Sequence, residues 1–270
     1  MALDFKDKVV IITGSSQGIG KETATQLGAL GCKVVMNGRT LSKLEAARDE
    51  LLAKGLDVIA VQGDVTSIED CQNLIDKTVE KYGRLDILIN NGSLTMNERF
   101  DQLQPEVYKA IFDSNSSGAV YPTMAALPHL KKTKGSVIFI SSLAGFHGLP
   151  MASAYSMGKM TLTPLWQSLR IELSSTGIHF GIVHVSFTQN EDQKRMVTSD
   201  GSLIPVPKRP SFIQQPREKV ARSIIGMIRY RRKRKVLSPL GKITAFMMRY
   251  FPRLILTIMI RSQKKKNVAA

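Results

Sequence analysis

Cysteine is scarce in this sequence of 270 residues, which contains only Cys32 and Cys71. Two cysteines are too few for a disulfide framework, so we expect a reducing compartment. Residues 1–8 contain acids and no apolar run, which argues against a secretory signal peptide. The sequence also lacks an uninterrupted run of about 18 apolar residues, which argues against a conventional membrane span. Together these absences predict a cytoplasmic protein.

Acidic residues are almost absent from the C-terminal fifth of the chain. Residues 214–270 hold 16 Lys and Arg against a single acid, Glu218, whereas residues 1–213 hold 22 basic and 21 acidic residues. The formal net charge of +16 is therefore concentrated near the C-terminus. An asymmetry of this size indicates that the basic segment has a partner of its own.

The rest of the chain alternates short apolar runs with helical patterns. Runs that predict strands buried on both faces occur at 8–13, 33–37, 57–62, 86–90, 136–141 and 179–185, and 236–240 is a candidate seventh strand. Strands that alternate with helices pair in parallel, so we expect an α/β fold. Specifically, the pattern predicts a Rossmann-like, doubly wound parallel sheet with helices on both faces over residues 1–240. A basic, amphipathic C-terminal tail follows at 241–270.

The segment TGSSQGIG at 13–20 follows the first predicted strand and opens a helix. Gly14 permits a tight turn, Gly18 lets the backbone approach a pyrophosphate, and Gly20 lets the helix pack close to the strand. The helix N-terminus adds free N–H groups and a partial positive charge. An ordinary strand-to-helix turn is the alternative, but the strand–loop–helix context favours a dinucleotide site.

The end of the second predicted strand bears on which dinucleotide binds. An acid there would hold the ribose 2′-hydroxyl of NAD, but the sequence reads Asn37-Gly38-Arg39. Arg39 can bind a 2′-phosphate through two hydrogen bonds, although a solvated surface arginine is the alternative. The sequence therefore favours NADP(H) over NAD(H).

The segment SAYSMGKM at 153–160 places Tyr155 and Lys159 one helical turn apart, where side chains share a face. An ammonium near a phenol favours the phenolate and lowers the pKa of the phenol. A general acid or base works best when its pKa lies near the working pH. An unrelated pair on a surface helix is the alternative when this motif is taken alone.

Over about residues 5–240, these motifs resemble the short-chain dehydrogenase/reductase family. The family patterns TGxxxGxG and YxxxK match at 13–20 and 155–159, and Ser142 stands thirteen residues before Tyr155. The resemblance implies an NAD(P)(H)-dependent interconversion of a ketone and a secondary alcohol, and the residues Asn37-Gly38-Arg39 favour NADP(H) as its cofactor. It assigns Tyr155 as general acid/base and Lys159 as the residue that lowers its pKa and holds the nicotinamide ribose. Ser142 would orient the substrate oxygen, and Asn115 would support a proton-relay water.

The resemblance also implies which residues contact the dinucleotide. They are Gly14, Ser16, Gln17, Gly18, Ile19, Gly20, Arg39, Asp64, Val65, Asn91, Gly92, Tyr155, Lys159 and Thr188. The sequence departs from the family where many members have Pro-Gly, because it has Val185-Ser186, and Ser93 replaces a motif glycine. These departures fall on segments expected to contact the nicotinamide and the floor of its site. The histidines show no metal-ligand spacing, so we expect no metal site.

The tail combines cations with apolar residues. RYRRKRK at 229–235 precedes a mostly apolar stretch at 243–266, which Arg249, Pro252 and Arg253 interrupt. This pattern fits a helix pair on an anionic membrane surface, contacted through 229–266. A cap over the substrate mouth or a subunit interface is the alternative, and nucleic acid is disfavoured because no recognition module accompanies the basic run.

The expected substrate is a small lipophilic carbonyl or alcohol, and the expected assembly is a homodimer or homotetramer. The rival hypothesis is a catalytically silent Rossmann scaffold that binds the cofactor as a sensor or membrane adaptor. The presence of Asn115, Ser142, Tyr155 and Lys159 argues against that rival.

Overall fold

A seven-stranded parallel sheet forms the centre of the protein. The computed structural model describes residues 2–191, 194–207 and 210–268, with side chains as far as residue 264. The strands are β1 (Val9–Ile12), β2 (Lys33–Gly38), β3 (Val58–Gln62), β4 (Ile87–Asn90), β5 (Ser136–Ser142), β6 (His179–Val185), β7 (Arg195–Val197), β8 (Leu203–Pro205) and β9 (Arg234–Val236). The sheet order is β3-β2-β1-β4-β5-β6-β9, and β7 and β8 form a separate antiparallel hairpin. The predicted doubly wound α/β fold is confirmed.

Helices cover both faces of the sheet. They are α1 (Gly18–Ala29), α2 (Leu41–Leu52), α3 (Ile68–Tyr82), α4 (Pro105–Asn115), α5 (Ser117–Thr133), α6 (Ser153–Glu172), α7 (Arg217–Arg229), α8 (Pro239–Tyr250) and α9 (Pro252–Val268). Side chains alternate along a strand, so β1 sends Val10 and Ile12 into the core beneath α1, α2 and α7. Val9 and Ile11 enter the opposite core, beneath α3, α5 and α6. Both faces of β1 are buried, which explains its unbroken apolar sequence.

The seventh strand begins earlier than the sequence predicts. The prediction placed it at 236–240, but β9 is Arg234–Val236 and lies inside the basic run. Proline favours the first turn of a helix, where its missing N–H costs no hydrogen bond, so Pro239 opens α8 instead of closing a strand. The Ser238 hydroxyl caps α8 by accepting from the Gly241 N–H at 2.9 Å.

Four loops converge at one edge of the sheet. The order of strands reverses between β1 and β4, and ligands of open α/β sheets bind at the carboxyl ends of strands beside such a reversal. The glycine-rich segment follows β1, residues 91–96 follow β4, Ser142 ends β5, and residues 186–191 follow β6. Parallel pairing thus brings the predicted cofactor and catalytic residues together.

The tail folds as two helices that meet at a sharp bend. α8 packs against β9 and against the short turn Leu143–Gly145 that follows Ser142. The axes of α8 and α9 differ by 110°. Within the described residues, no single helix has the length and apolar content to cross a bilayer, and only this bent pair together meets that criterion.

Candidate active site

Two glycines of the glycine-rich loop lie where any side chain would clash with neighbouring backbone atoms. Gly14 has a φ of +59°, and a Cβ there would lie 2.7 Å from the Gly92 Cα. A Cβ on Gly20 would lie 2.5 Å from the Gly14 carbonyl oxygen. Both positions therefore require glycine, which keeps the start of α1 close to the ends of β1 and β4.

Asn91 braces this loop from the neighbouring strand. Its Nδ2 donates to the carbonyl oxygens of Thr13 and Gly14, both at 2.9 Å. In return, the Thr13 hydroxyl accepts from the N–H groups of Asn91 and Gly92, both at 3.0 Å. The predicted cofactor residues Gly14, Asn91 and Gly92 thus form one rigid corner of the site.

Arg39 lies at the end of β2, where the sequence predicts recognition of the ribose. Its guanidinium is 3.7 Å from a carboxylate oxygen of Asp64, and both side chains are substantially exposed. Asp64 is held in place because its Oδ1 accepts from the Thr66 N–H and hydroxyl. Val65 is buried beside Gly118. Arg39 is therefore open to an additional anionic partner.

Ser16 and Gln17 line a cavity of about 580 Å³ between the glycine loop and α2. Lys21, Lys43, Glu50 and Arg217 also face this cavity. By contrast, the predicted contact residue Ile19 packs its side chain against the core under α1.

The predicted catalytic side chains converge between β5 and α6. The Ser142 hydroxyl accepts from the Ala144 N–H at 3.3 Å, and Tyr155 packs against the cluster formed by Met96, Ile111 and Val197. Lys159 is buried, and its Nζ lies 5.8 Å from the centre of the Tyr155 ring. Burial, and secondarily the charge of Lys194, lowers the pKa of Lys159 to about 7.

Asn115 is brought to α6 by a close crossing of helices. A Cβ on Gly158 would lie 2.6 Å from the Cβ of Asn115, so the glycine between Tyr155 and Lys159 lets α4 approach. The Asn115 amide nitrogen donates to the carbonyl oxygens of Leu94 and Ile111, both at 2.8 Å. Its buried Oδ1 has no protein partner within the described ranges. That oxygen is an available acceptor beside the catalytic helix.

The departure from the family at Ser186 has a structural role. The Ser186 hydroxyl lies 3.0 Å from the Ser238 hydroxyl and accepts from the Gln215 side-chain amide at 2.6 Å. Because Ser238 caps α8, the Ser186 hydroxyl connects the loop after β6 to the start of the tail helices. The Thr188 hydroxyl donates a hydrogen bond to the Ser186 carbonyl oxygen at 3.1 Å.

Glu191 and Arg217 belong to the site, although the sequence did not reveal them. The Glu191 carboxylate accepts from the Gly18 N–H at 3.0 Å and forms an ion pair with the Arg217 guanidinium. An anion therefore already contacts the start of α1, where the motif predicts a phosphate. This contact shows that the Gly18 N–H group is available to an anionic acceptor. The 173-residue separation between Glu191 and Gly18 left no local signal in the sequence.

An apolar groove lies between the tail and the segment that precedes α6. A cavity of about 400 Å³ lies between α9 and residues 148–150, which precede Tyr155. Its walls include Leu149, Pro150, Leu256, Met259 and Ile260. Metal-like clusters of three or more His, Cys, Asp or Glu side chains do not occur among the residues that the structure describes.

Sequence comparison relates this chain to a known protein family. The profile of the family described as short chain dehydrogenase matches residues 8–200. The Arabidopsis thaliana protein named 11-beta-hydroxysteroid dehydrogenase-like 2 is 40% identical over 172 residues, covering 62% of this chain and 55% of that protein. A Dictyostelium discoideum protein named Dehydrogenase/reductase SDR family protein 7-like is 32% identical over 259 residues, covering 93% of this chain and 80% of that protein. The chain spans little more than half the length of several curated relatives that it matches.

Solved structures show the same fold. A short chain dehydrogenase/reductase from Burkholderia phymatum in complex with NAD has a TM-score of 0.80 at 20% identity, covering 91% of this chain and 94% of that chain. The alcohol dehydrogenase of Thermococcus sibiricus complexed with 5-hydroxy-NADP has a TM-score of 0.74 at 22% identity, covering 86% and 96% respectively. At these identities the likeness concerns the fold alone.

Proposed function

The chain belongs to the short-chain dehydrogenase family, and we propose that it is an NADP(H)-dependent oxidoreductase that interconverts a lipophilic ketone and a secondary alcohol. The observation that carries the proposal is the placement of Tyr155 and Lys159 on α6 beside Asn115, with Lys159 hydrogen-bonded to the strand that ends at Ser142. These are the groups that a carbonyl–alcohol reaction requires. The bound dinucleotide would supply or accept the hydride.

Each side chain has a definite task in this reaction. The Ser142 hydroxyl donates to the substrate oxygen and orients it. Tyr155 delivers a proton to that oxygen in the direction of reduction and removes it in the direction of oxidation. The Lys159 ammonium stabilises the resulting phenolate by its charge and binds the nicotinamide ribose. The Asn115 Oδ1 accepts from a water through which the proton is replenished.

Two features support NADP(H). Arg39 is exposed at the end of β2. Its ion pair with Asp64 is long, at 3.7 Å, and leaves other guanidinium donors for a 2′-phosphate. Lys21 and Lys43 line the adjoining cavity and add positive charge. The position at which NAD-binding members of the fold carry an acid holds Asn37-Gly38-Arg39 here.

The substrate side supports a lipophilic molecule. The groove between α9 and residues 148–150 is lined largely by aliphatic side chains. Relatives named hydroxysteroid dehydrogenases point to alcohols of that character. The tail would bring such a substrate from a membrane, because α8 and α9 expose Ile243, Phe246, Leu254 and Ile258 beside their cations. We propose that this face rests on an anionic bilayer.

The proposal is tested by following NADPH oxidation with a panel of ketones, including flat polycyclic ketones and short-chain ones. We expect turnover with polycyclic ketones and NADPH, and at least tenfold lower kcat/KM with NADH. A protein that binds NADPH but oxidises it with no ketone, and reduces NADP with none of the matching alcohols, would instead be the cofactor-binding sensor or adaptor.

A further inference from the structure

The start of α1 carries an anion that the protein itself provides. The Glu191 Oε1 accepts from the Gly18 N–H at 3.0 Å. α1 has no acid in its first turn, and Gln17 makes no side-chain cap there. The N-terminal N–H groups of a helix need acceptors, and the helix dipole favours a negative charge. Glu191, in the loop after β6, supplies a hydrogen-bond acceptor and a negative charge to this helix N-terminus.

The same carboxylate oxygen binds Arg217. The Arg217 guanidinium donates to Glu191 Oε1, and both side chains are about three-quarters buried. Arg217 opens α7, which packs directly against α1. The position of Arg217 is therefore fixed relative to the glycine loop, whereas Glu191 reaches both from a loop.

We propose that Glu191 and a dinucleotide phosphate compete for the Gly18 N–H group, and that the bound phosphate displaces Glu191 and forms hydrogen bonds with Arg217 instead. The inference rests on the proposed function only in requiring that NADP(H) binds. Two anions within about 4 Å repel each other, so the carboxylate and a phosphate cannot both accept from the Gly18 N–H. A guanidinium binds phosphate through paired hydrogen bonds at least as well as it binds a carboxylate. Arg217 thereby becomes a cofactor ligand, and Glu191 becomes a determinant of cofactor affinity.

The competition is tested with Glu191→Gln, which keeps the size of the side chain and removes its charge. The dissociation constant of NADPH is measured by its fluorescence, with no carbonyl substrate present. We expect about tenfold tighter binding, since a hydrogen bond to a charged group contributes about 1.5–3 kcal/mol. Glu80→Gln is the matched control. It removes a carboxylate from the exposed face of α3, which lies on the opposite face of the sheet from α1, and we expect less than a twofold change.

The proposed binding of Arg217 to the cofactor phosphate is tested in the Glu191→Gln background, where the arginine has lost its carboxylate partner. Adding Arg217→Met there should weaken NADPH at least fivefold. An unchanged dissociation constant would show that Arg217 is not a cofactor ligand and would overturn that half of the inference.

Thermal unfolding gives a readout that does not involve the reaction. Glu191→Gln should lower the melting temperature of the protein without cofactor, because the loop loses its ion pair with Arg217 on α7. The increase in melting temperature that a fixed NADPH concentration produces should also be larger in this variant, because stabilisation by a ligand grows as its dissociation constant falls. Equal NADPH affinity in Glu191→Gln and Glu80→Gln would overturn the inference while leaving the proposed function intact. If no variant binds either NADPH or NADH, the proposed function fails as well.

Discussion

The Nζ of Lys159 donates a hydrogen bond of 3.0 Å to the backbone carbonyl oxygen of Ile140. Ile140 lies in β5 two residues before Ser142, so this bond fixes α6 to the strand that carries the serine. The lysine is almost completely buried, and burial lowers its pKa to about 7. A charge buried in this way costs stability, and that cost depends on pH.

Lys159→Met should stabilise the protein at pH 6 and lose its advantage near pH 10. The folded-state pKa is about 7 against an unfolded value of 10.5. Between these values the unfolded chain binds more protons, so the stability of the wild type rises with pH. Below pH 7 the cost of charging the buried amine is fully present, with an upper limit of about 5 kcal/mol, because one pKa unit corresponds to about 1.4 kcal/mol.

Denaturant unfolding at pH 6, 8 and 10 measures this difference. Lys77→Met, on the exposed face of α3, is the control and should show no such pH dependence. A Lys159→Met variant that is less stable than the wild type at pH 6 would mean that the bond to Ile140 outweighs desolvation.

Tyr155→Phe should lower turnover by about 10²–10⁴-fold, the usual contribution of general acid–base catalysis. The ring and its packing against the Met96 and Val197 cluster are retained, so NADPH affinity should stay within about twofold. Tyr82→Phe is the control, because it removes a phenol hydroxyl at the C-terminal end of α3, where it donates to Asp57, and Tyr82 is not among the candidate site residues. Near-normal kcat in Tyr155→Phe would exclude the assigned role.

Arg39→Ala should weaken NADPH about tenfold or more and leave NADH nearly unchanged. A charge-assisted hydrogen bond contributes about 1.5–3 kcal/mol, and only NADPH carries the 2′-phosphate. Arg48→Ala provides the comparison, because Arg48 lies on α2 and pairs with Glu45 and Asp49. Equal losses for both dinucleotides, or a wild-type preference for NADH, would contradict the assignment of Arg39.

The sequence predicted the sheet well and the loops poorly, for physical reasons. β1 to β6 were found to within a residue or two because strands buried on both faces must be continuously apolar. β9 was misplaced because Arg234 and Lys235 resemble solvated surface. Arg234 nevertheless lies in the strand, with its guanidinium 4.9 Å from the centre of the Phe146 ring. The contact of Glu191 with Gly18 depends on the path of a loop across the sheet edge, and no local pattern encodes such a path.

Ser186→Ala should lower the free energy of unfolding by about 1–3 kcal/mol, the cost of leaving buried polar partners unsatisfied. The variant removes the hydroxyl that joins Gln215 to Ser238 and so loosens the N-terminus of α8. Ser174→Ala, at an exposed position, serves as the control, and denaturant unfolding monitors both variants. If the two serine variants unfold alike, the hydroxyl link contributes nothing to holding the tail.

The tail gives the last prediction, in which membrane binding and subunit contact lead to different results. We expect the full chain to sediment with anionic vesicles and much less with neutral ones, because each Lys or Arg near an anionic bilayer contributes about 1 kcal/mol. High salt should release it only in part, since salt screens charges beyond about 8 Å but does not weaken burial of apolar side chains.

The side chains of Ile243 and Phe246 are more than half exposed on α8, whereas Ala245 and Met248 pack inward. Ile243→Ser combined with Phe246→Ser should therefore reduce vesicle binding about tenfold without unfolding the protein, because a large apolar side chain gains about 1.5–3 kcal/mol on full burial. Leu203→Ser combined with Phe212→Ser removes two exposed apolar side chains that belong to neither α8 nor α9 and should leave vesicle binding unchanged. If the full chain ignores anionic vesicles and the α8 variant instead changes the oligomeric mass in light scattering, then this face is a subunit interface, because its apolar residues are buried by another copy of the chain.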